Sequence, residues 1–522
     1  MGRRRRGKTR AKAAAAASPN RVWWILGAVG LVAAFGVAAW LRFYRLGDAV
    51  RGFHAYDEGY YLNYSLDYAR RGFLSWVAKP GDLNNPPLFD VFVSWFFRAF
   101  GPSVLAARLV SALAGVATIA LVYELGRLLY SRRMGVLSAL IFALMPGSVL
   151  VSRNAQVDPL QVALALGAVV CWVHASDAED GTWWGLAGGV LLGLGLVTKL
   201  PAVLVVPGLV VFEAIRVRGL GWLRRRRTWA FIGGAAVIPA SWYAVRAIVD
   251  KGSFATSQAT RFGLSELPSP AALWRVFGIE AFWMLGAVVV CLLAVGVVAM
   301  SRERTDGDAL IATELLTAAV FVFFFHYHIY YWLPATPFFA LVAGRGLDFI
   351  ASWSRQTFAA VAVATACLLA LSSAVMLAGH KWSDWSTKEL QTVVGERSDG
   401  VVILADQMLW DNAMGPAMQF YLPEWAYVAP GQGVPKTAKR VIHLRPMGPD
   451  DPEEIAVRQT RWRLVLFGVA IAQQPPRINI FENGPWTAER VAPAWRFGLI
   501  ADDQPGNVTL QDVTASTLGS EQ

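Results

Sequence analysis

Charged residues are scarce in this chain. Asp, Glu, Lys and Arg make up 16% of its 522 residues, against about 25% in an ordinary soluble protein, while 55% are hydrophobic. The shortage excludes a disordered chain and a plain cytosolic enzyme. It predicts apolar stretches of about 20 residues, long enough to cross a bilayer. Cysteine is rarer still: Cys171, Cys291 and Cys367 are the only three. Each lies inside an apolar stretch, so neither a disulfide framework nor a cysteine metal cluster is expected. No internal sequence repeat is present.

The charge that is there is unevenly spread. Residues 381–522 contain 13 Lys and Arg against 17 Asp and Glu, a net of −4, whereas residues 1–380 contain 35 against 20, a net of +15. The basic excess sits between apolar stretches, so a membrane surface explains it and no nucleic-acid partner is expected. Met1 to Arg21 carries eight basic residues and no acid. The apolar run that follows, Val22 to Leu41, is longer than the 7–15 residues of a signal-peptide core. It ends in Trp40-Leu41-Arg42-Phe43-Tyr44, an interfacial anchor, and reads as an uncleaved first membrane helix behind a cytoplasmic tail.

Ten further spans are predicted at about 105–129, 134–151, 157–174, 184–198, 200–215, 229–249, 280–300, 309–325, 333–350 and 358–379. The expectation is a polytopic α-helical membrane protein with about eleven transmembrane helices. Arg132-Arg133, the six arginines between Arg216 and Arg227, and Arg302 to Arg304 all fall on the side of the N-terminus, as basic loops should. An odd count puts the C-terminus outside. The exterior parts are then loop 42–104, loop 250–279 and the chain after His380. Within the first loop, 59–71 and 88–100 read as helices lying on the membrane surface. Residues 381–501 read as a soluble α/β domain. Strands are expected at Val401–Ala405, Val441–Leu444 and Leu464–Phe467, and one helix should open at Asp451-Pro452-Glu453-Glu454. Residues 502–522 read as a tail.

Five polar segments stand out, and the eleven-span topology places all five on the exterior side. His54-Ala55-Tyr56-Asp57-Glu58 puts two adjacent carboxylates in the first turn of a surface helix. They suit either helix capping or general-base chemistry with a neighbour that tunes the base or holds a metal. Asn84-Asn85-Pro86-Pro87-Leu88 is a turn into a helix. Arg153 and Asp158 flank the mouth between two spans, where an ion pair at the membrane edge is the bland alternative to function. Lys199 follows Thr198 at the same face, where it could merely snorkel. His326 and His328 open the aromatic segment Tyr330-Tyr331-Trp332-Leu333-Pro334, which an aromatic belt alone would explain.

The order of these segments resembles the polytopic GT-C glycosyltransferases, in the branch holding protein O-mannosyltransferases and the aminoarabinose transferases that modify lipid A. The likeness runs over about residues 20–350. It rests on Asp57-Glu58, Pro86-Pro87-Leu88, Phe100-Gly101, Ala107-Arg108-Leu109, Glu124-Leu125-Gly126-Arg127, Arg153 to Asp158, Thr198-Lys199, Pro239 to Trp242-Tyr243, and Tyr331-Trp332-Leu333-Pro334 to Ala343-Gly344. The resemblance implies a sugar donor carried on a polyprenyl phosphate and used at the exterior face. It implies Asp57 as catalytic base, Glu58 as its partner, Asp158 as a second functional acid, Lys199 as a polar cavity contact and Tyr331 as a donor-phosphate contact. Two departures matter. Asn84 and Asn85 stand where aminoarabinose transferases usually have an acid and a lysine before the Pro-Pro-Leu motif, and the C-terminal domain is unlike that of the protein mannosyltransferases.

The expectation is therefore an inverting glycosyltransferase with a lipid or surface-glycan acceptor. Arg153, Lys199, Arg246, Arg261, His326, His328 and Tyr331 are the candidates for the donor phosphate or the cavity. His54, Asn85, Pro86 and Pro87 complete the motif set. A divalent cation near Glu58 is compatible with the sequence but not demanded by it. The rival readings are a transporter or flippase of lipid-linked sugars, a protein O-glycosyltransferase and a catalytically inactive scaffold. A transporter would not need the Asp57-Glu58 pair outside the bundle, and it tends to carry repeats.

Overall fold

In the computed structural model of the chain, the described residues are 21–47, 55–72, 86–250, 268–325, 329–381 and five strands between 401 and 493. His54, Asn85, Arg261, His326, His328, the expected strand at 464–467, the expected helix at 451 and the tail 502–522 lie outside them.

Every one of the eleven apolar stretches is helical. In chain order the helices are α1 (Arg21–Phe43), α2 (Ala55–Arg71), α3 (Leu88–Phe100), α4 (Val104–Leu129), α5 (Arg132–Leu144), α6 (Pro146–Val151), α7 (Val157–Asp177), α8 (Thr182–Leu196), α9 (Val206–Val217) and α10 (Arg226–Asp250). Then come a helical run from Pro270 to Leu285 with a π turn over Trp274–Glu280, and α11 (Ala287–Arg302), α12 (Asp306–Phe324), α13 (Thr336–Trp353) and α14 (Arg355–Lys381). Short 3-10 segments, Leu200–Val205 and Ile329–Ala335, lead into α9 and α13. Local chemistry explains the starts. Ser103 and Ser131 accept from the backbone N–H of Ala106 and Met134 and cap α4 and α5. Thr305 and Asp308 form a reciprocal capping box on α12.

Among the described residues, six helices are long and apolar enough to cross a membrane by length and composition: α4, α7, the run Leu200–Val217, α10, α12 and α14. A seventh counts if Trp274–Leu285 and α11, bent by 101° at Gly286, form one broken span. Three apolar stretches contain or meet residues that end helices, whereas α1 runs unbroken over 23 residues. Pro146 has no N–H to continue α5, and Gly286 takes φ +81, outside the helical region. Lys199-Leu200-Pro201 separates α8, only 15 residues long, from the next run. The chain is a multi-pass membrane protein.

Close helix contacts use small residues. On α8, Gly185, Gly189 and Gly193 recur every four residues, and a Cβ on any of them would run into the α10 carbonyls of Arg227, Phe231 or Gly234. Two arginines reach across one junction in opposite directions. Arg42, fully buried at the end of α1, donates to the carbonyls of Ala38 (3.2 Å) and Ala143 (2.5 Å) and to Ser148 Oγ (2.9 Å). Arg153, just past α6, donates to the carbonyls of Leu41 (2.6 Å) and Tyr44 (2.8 Å) at the end of α1.

The predicted surface helices exist as α2 and α3. They pack through Tyr61 against Phe89, ring centroids 5.4 Å apart. Arg98 closes the end of α2 by donating to the Tyr68 and Ala69 carbonyls. Trp95 and Phe100 of α3 stay exposed, as befits a helix lying in an interface. The strands β1 (Val401–Ala405), β2 (Ala426–Val428), β3 (Arg440–Arg445), β4 (Arg477–Glu482) and β5 (Glu489–Pro493) form a mixed sheet of order β2-β1-β3-β4-β5. β1 is parallel to β2 and β3, while β3–β4 and β4–β5 are antiparallel. β1 and β3 coincide with two of the expected strands.

Candidate active site

Four separate elements bring polar side chains together at one end of the bundle. Asp57 and Glu58 lie in the first turn of α2, Asp158 in the first turn of α7, Lys199 at the break after α8, and Tyr330 and Tyr331 in the 3-10 segment before α13. Lys199 Nζ lies 2.8 Å from Asp158 Oδ1. It also sits over both tyrosine rings, 4.6 Å from the Tyr330 centroid and 5.2 Å from that of Tyr331. The Tyr330 hydroxyl donates to Asp57 Oδ2 at 3.3 Å. Burial, then the negative charges of Asp57 and Asp158, raise the Tyr330 hydroxyl well above the usual tyrosine range. It therefore stays a donor at neutral pH. Tyr61 is raised in the same direction by burial and by Asp57.

Asp57 and Glu58 are neighbours with different surroundings. Glu58 is buried and accepts from Arg108 at both oxygens, Nε to Oε1 at 2.6 Å and Nη2 to Oε2 at 2.8 Å. The Ala155 N–H donates to Oε1 at 2.7 Å, and Arg108 also reaches the Leu46 carbonyl at 2.9 Å. Glu58 thus ties α2 to α4 and to the turn before Asp158. Asp57 is half-buried and faces Tyr330. A cation does not fit at Glu58, whose two oxygens are held by a guanidinium. Among the described residues, no group of three His, Cys, Asp or Glu side chains could hold a metal ion.

The Pro-Pro-Leu segment docks on the same end. Pro86 and Pro87 are buried, and the Leu88 N–H donates to the Val197 carbonyl at 3.1 Å, two residues before Lys199. The ion-pair partner of Asp158 is Lys199, while Arg153 donates to the Leu41 and Tyr44 carbonyls at the end of α1. Arg246, buried on α10, lies 6.0 Å from the Trp242 ring and close enough to Tyr68 to perturb it.

Against solved structures the chain is similar to ArnT from Cupriavidus metallidurans. The likeness to its apo state has a TM-score of 0.63 at 17% identity, covering 91% of this chain and 100% of that one. The undecaprenyl-phosphate-bound ArnT gives 0.58 over 84% and 95% at the same identity. The Archaeoglobus fulgidus oligosaccharyltransferase, crystallised with Zn and sulfate, gives 0.51 at 12% identity over 92% and 74%. The chain has the GT-C glycosyltransferase fold. A family model for dolichyl-phosphate-mannose-protein mannosyltransferase matches residues 84–243, the stretch from the Pro-Pro-Leu segment into α10. No curated protein sequence matches it.

The sequence pattern gives Arg108 no role beyond its motif and Tyr330 none beyond the aromatic segment, and it does not single out Tyr61 or Asp90. Arg108 and Asp90 carried a readable signal, since a charge inside an apolar helix must find a partner. Asp90, buried on α3, accepts from Ser65 Oγ at 3.1 Å, and burial pushes its carboxyl up to about 8.

Proposed function

We propose that the chain is an inverting glycosyltransferase that moves a sugar from a polyprenyl-phosphate donor to a lipid or surface-glycan acceptor at the exterior face. The observation that carries the reading is the meeting of Asp57, Asp158, Lys199 and the two tyrosines at one end of a GT-C bundle. Undecaprenyl phosphate bound to the similar ArnT, and dolichol phosphate bound to the similar archaeal oligosaccharyltransferase, supply the donor class. Asp57 Oδ removes the proton of the acceptor hydroxyl while the acceptor oxygen attacks the anomeric carbon. The bond from that carbon to the phosphate oxygen breaks, and the lipid phosphate departs as an anion. It needs no proton but does need charge stabilisation where water is scarce. Lys199 supplies positive charge, and Tyr331 packs beside it. Asp158 keeps the ammonium in place and lowers the net charge of the empty site.

Arg246, Arg261, His326, His328 and Arg153 are further candidates for the phosphate or the approach to it, and His54 and Asn85 belong to the same motif set. On this reading Glu58 acts through structure: it fixes Asp57 against Arg108 and Ala155. The basic tail and the arginine-rich loops face the cytoplasm, and residues 381–501 form an α/β domain that covers the site from outside. Transfer of lipid-linked sugars across the membrane without chemistry is the rival class, and a protein acceptor is the rival within the enzyme class.

Mass spectrometry of lipids and surface glycans from cells lacking the protein tests the reading. One glycan should lose a single sugar and the matching polyprenyl-phosphate sugar should accumulate. Unchanged glycans and lipids sink it. A reporter fused after residue 400 should be active only outside the cytoplasm, and one near Arg224 only inside; a cytoplasmic signal from the first overturns the orientation.

A further inference from the structure

We propose that Gln161 is a specificity-determining contact that reads hydroxyl groups of the donor sugar; this rests on the glycosyltransferase reading above. Gln161 is one turn into α7 from Asp158. With 3.6 residues per turn, Asp158, Gln161, Val162 and Ala165 lie along one face. The surroundings of that face are fixed at three points. Asp158 is paired with Lys199. Val162 belongs to the buried cluster of Tyr330, Trp332 and Leu333. Next to Ala165, Gly195 and Ala202 close the break after α8, since a Cβ on Gly195 would lie 3.0 Å from Ala202 Cβ and 3.8 Å from Ala165 N. Gln161 therefore lies beneath the Asp158–Lys199 pair, between the 195–202 break and the tyrosine segment.

Gln161 is 1% exposed, and neither Oε1 nor Nε2 has a hydrogen-bond partner among the described residues. A buried amide with both ends unpaired is costly, and native structures rarely keep one without use. A leucine of similar size would suit the apolar neighbours better. The chemistry of the amide selects its ligand. A phosphate offers only acceptors, which Lys199 already serves. A sugar hydroxyl is both donor and acceptor and matches a side chain that presents one of each. The site is then divided, with the phosphate at Lys199 and the tyrosines, and the sugar ring reaching the α7 face at Gln161.

The test compares binding of undecaprenyl phosphate with binding of its mannosyl, glucosyl and arabinosyl derivatives, and of the native polyprenyl-phosphate sugar fraction, to the purified full chain in detergent. The wild-type protein should bind one sugar-bearing lipid about tenfold tighter than the bare lipid phosphate. Gln161→Leu should lose that increment, keep its affinity for undecaprenyl phosphate and melt at or above the wild-type temperature. A full sugar increment in Gln161→Leu overturns the inference while leaving the glycosyltransferase reading intact. A lower melting temperature in the free Gln161→Leu protein also overturns it, because the amide would then have a structural partner. If the wild type shows no increment with any sugar-bearing lipid, the donor reading itself fails, and the inference with it.

Discussion

The two ends of the helix bundle use the same residue types for different ends. Asp158 opens α7 and Asp177 closes it, about 30 Å apart for a helix of that length. At the Asp177 end, the buried carboxylates Glu213 and Asp308 have several fixed partners. Glu213, fully buried, accepts from Arg227 at one oxygen and from Ser176 at the other, while Arg227 also donates to the Ala175 carbonyl. Asp308 accepts from Thr305 and from the Tyr130 hydroxyl, with Arg345 nearby. Arg216 pairs with Asp177 and Arg133 with Asp348. At the Asp158 end Glu58 is held in that manner by Arg108. Asp158 shares a flexible ammonium with two aromatic faces, and Asp57 receives a long hydrogen bond from a tyrosine. A guanidinium fork fixes geometry, whereas a lysine on a four-carbon stem can follow a ligand. The contrast separates residues that hold helices together from residues that can exchange partners.

The sharpest way to break the contrast is Asp57→Asn. Turnover should fall by about 10²–10⁴ with the melting temperature nearly unchanged. A variant with wild-type turnover, measured on purified protein, would take Asp57 out of the chemistry. At the other end, Glu213→Gln leaves Arg227 buried and unpaired and should cost about 3–5 kcal/mol of stability, with turnover per folded molecule preserved. Denaturation in detergent checks the first part and single-turnover transfer the second; equal loss of both would erase the distinction between the ends.

The exchange Asp158→Lys with Lys199→Asp keeps an ion pair and should retain the fold. It reverses the direction of charge at the donor phosphate, so transfer should drop by about 10²–10³. Near-normal transfer at matched thermal stability would make the pair structural. The smallest effect concerns Asp90. Its carboxyl is raised from the ordinary carboxylate range to about 8, so the folded state binds more protons than the unfolded chain between those limits. The resulting stability is present at low pH and is lost as pH rises through about 8, with a slope of at most about 1.4 kcal/mol per pH unit. Asp90→Asn should flatten melting temperature against pH between 5 and 8.5. An unaltered slope would assign the dependence to another group.

Much of this organisation was legible in the sequence, for identifiable reasons. Apolar runs and turn residues announced most of the helices, and the two aromatic-rich segments in loop 42–104 became α2 and α3, while the helical run from Pro270 falls in the expected loop 250–279. The meeting of Asp57, Asp158, Lys199 and Tyr331 followed from putting their segments on one side of the membrane. The breaks within the apolar stretches were not legible, because hydropathy does not register that Pro146, Gly286 and the Lys199–Pro201 segment stop helices part-way. Partners were harder still. Arg153 and Asp158 are close in sequence, but a turn separates them and sends Arg153 to α1. Arg108 meets Glu58 across 50 residues, and no local pattern encodes that distance.

The crossed arginines at the α1 junction bear on how the chain is made. Arg42 finishes α1, yet its acceptors on Ala143 and Ser148 are synthesised about a hundred residues later. Arg153, which satisfies the carbonyls of Leu41 and Tyr44, comes later still. Until α6 is in place, the charged end of α1 has to be sheltered by lipid headgroups, water or an insertion partner. The first helix can therefore be threaded early but locked only late. Replacing it with an unrelated anchor sequence should stall assembly at that step even where membrane insertion itself proceeds.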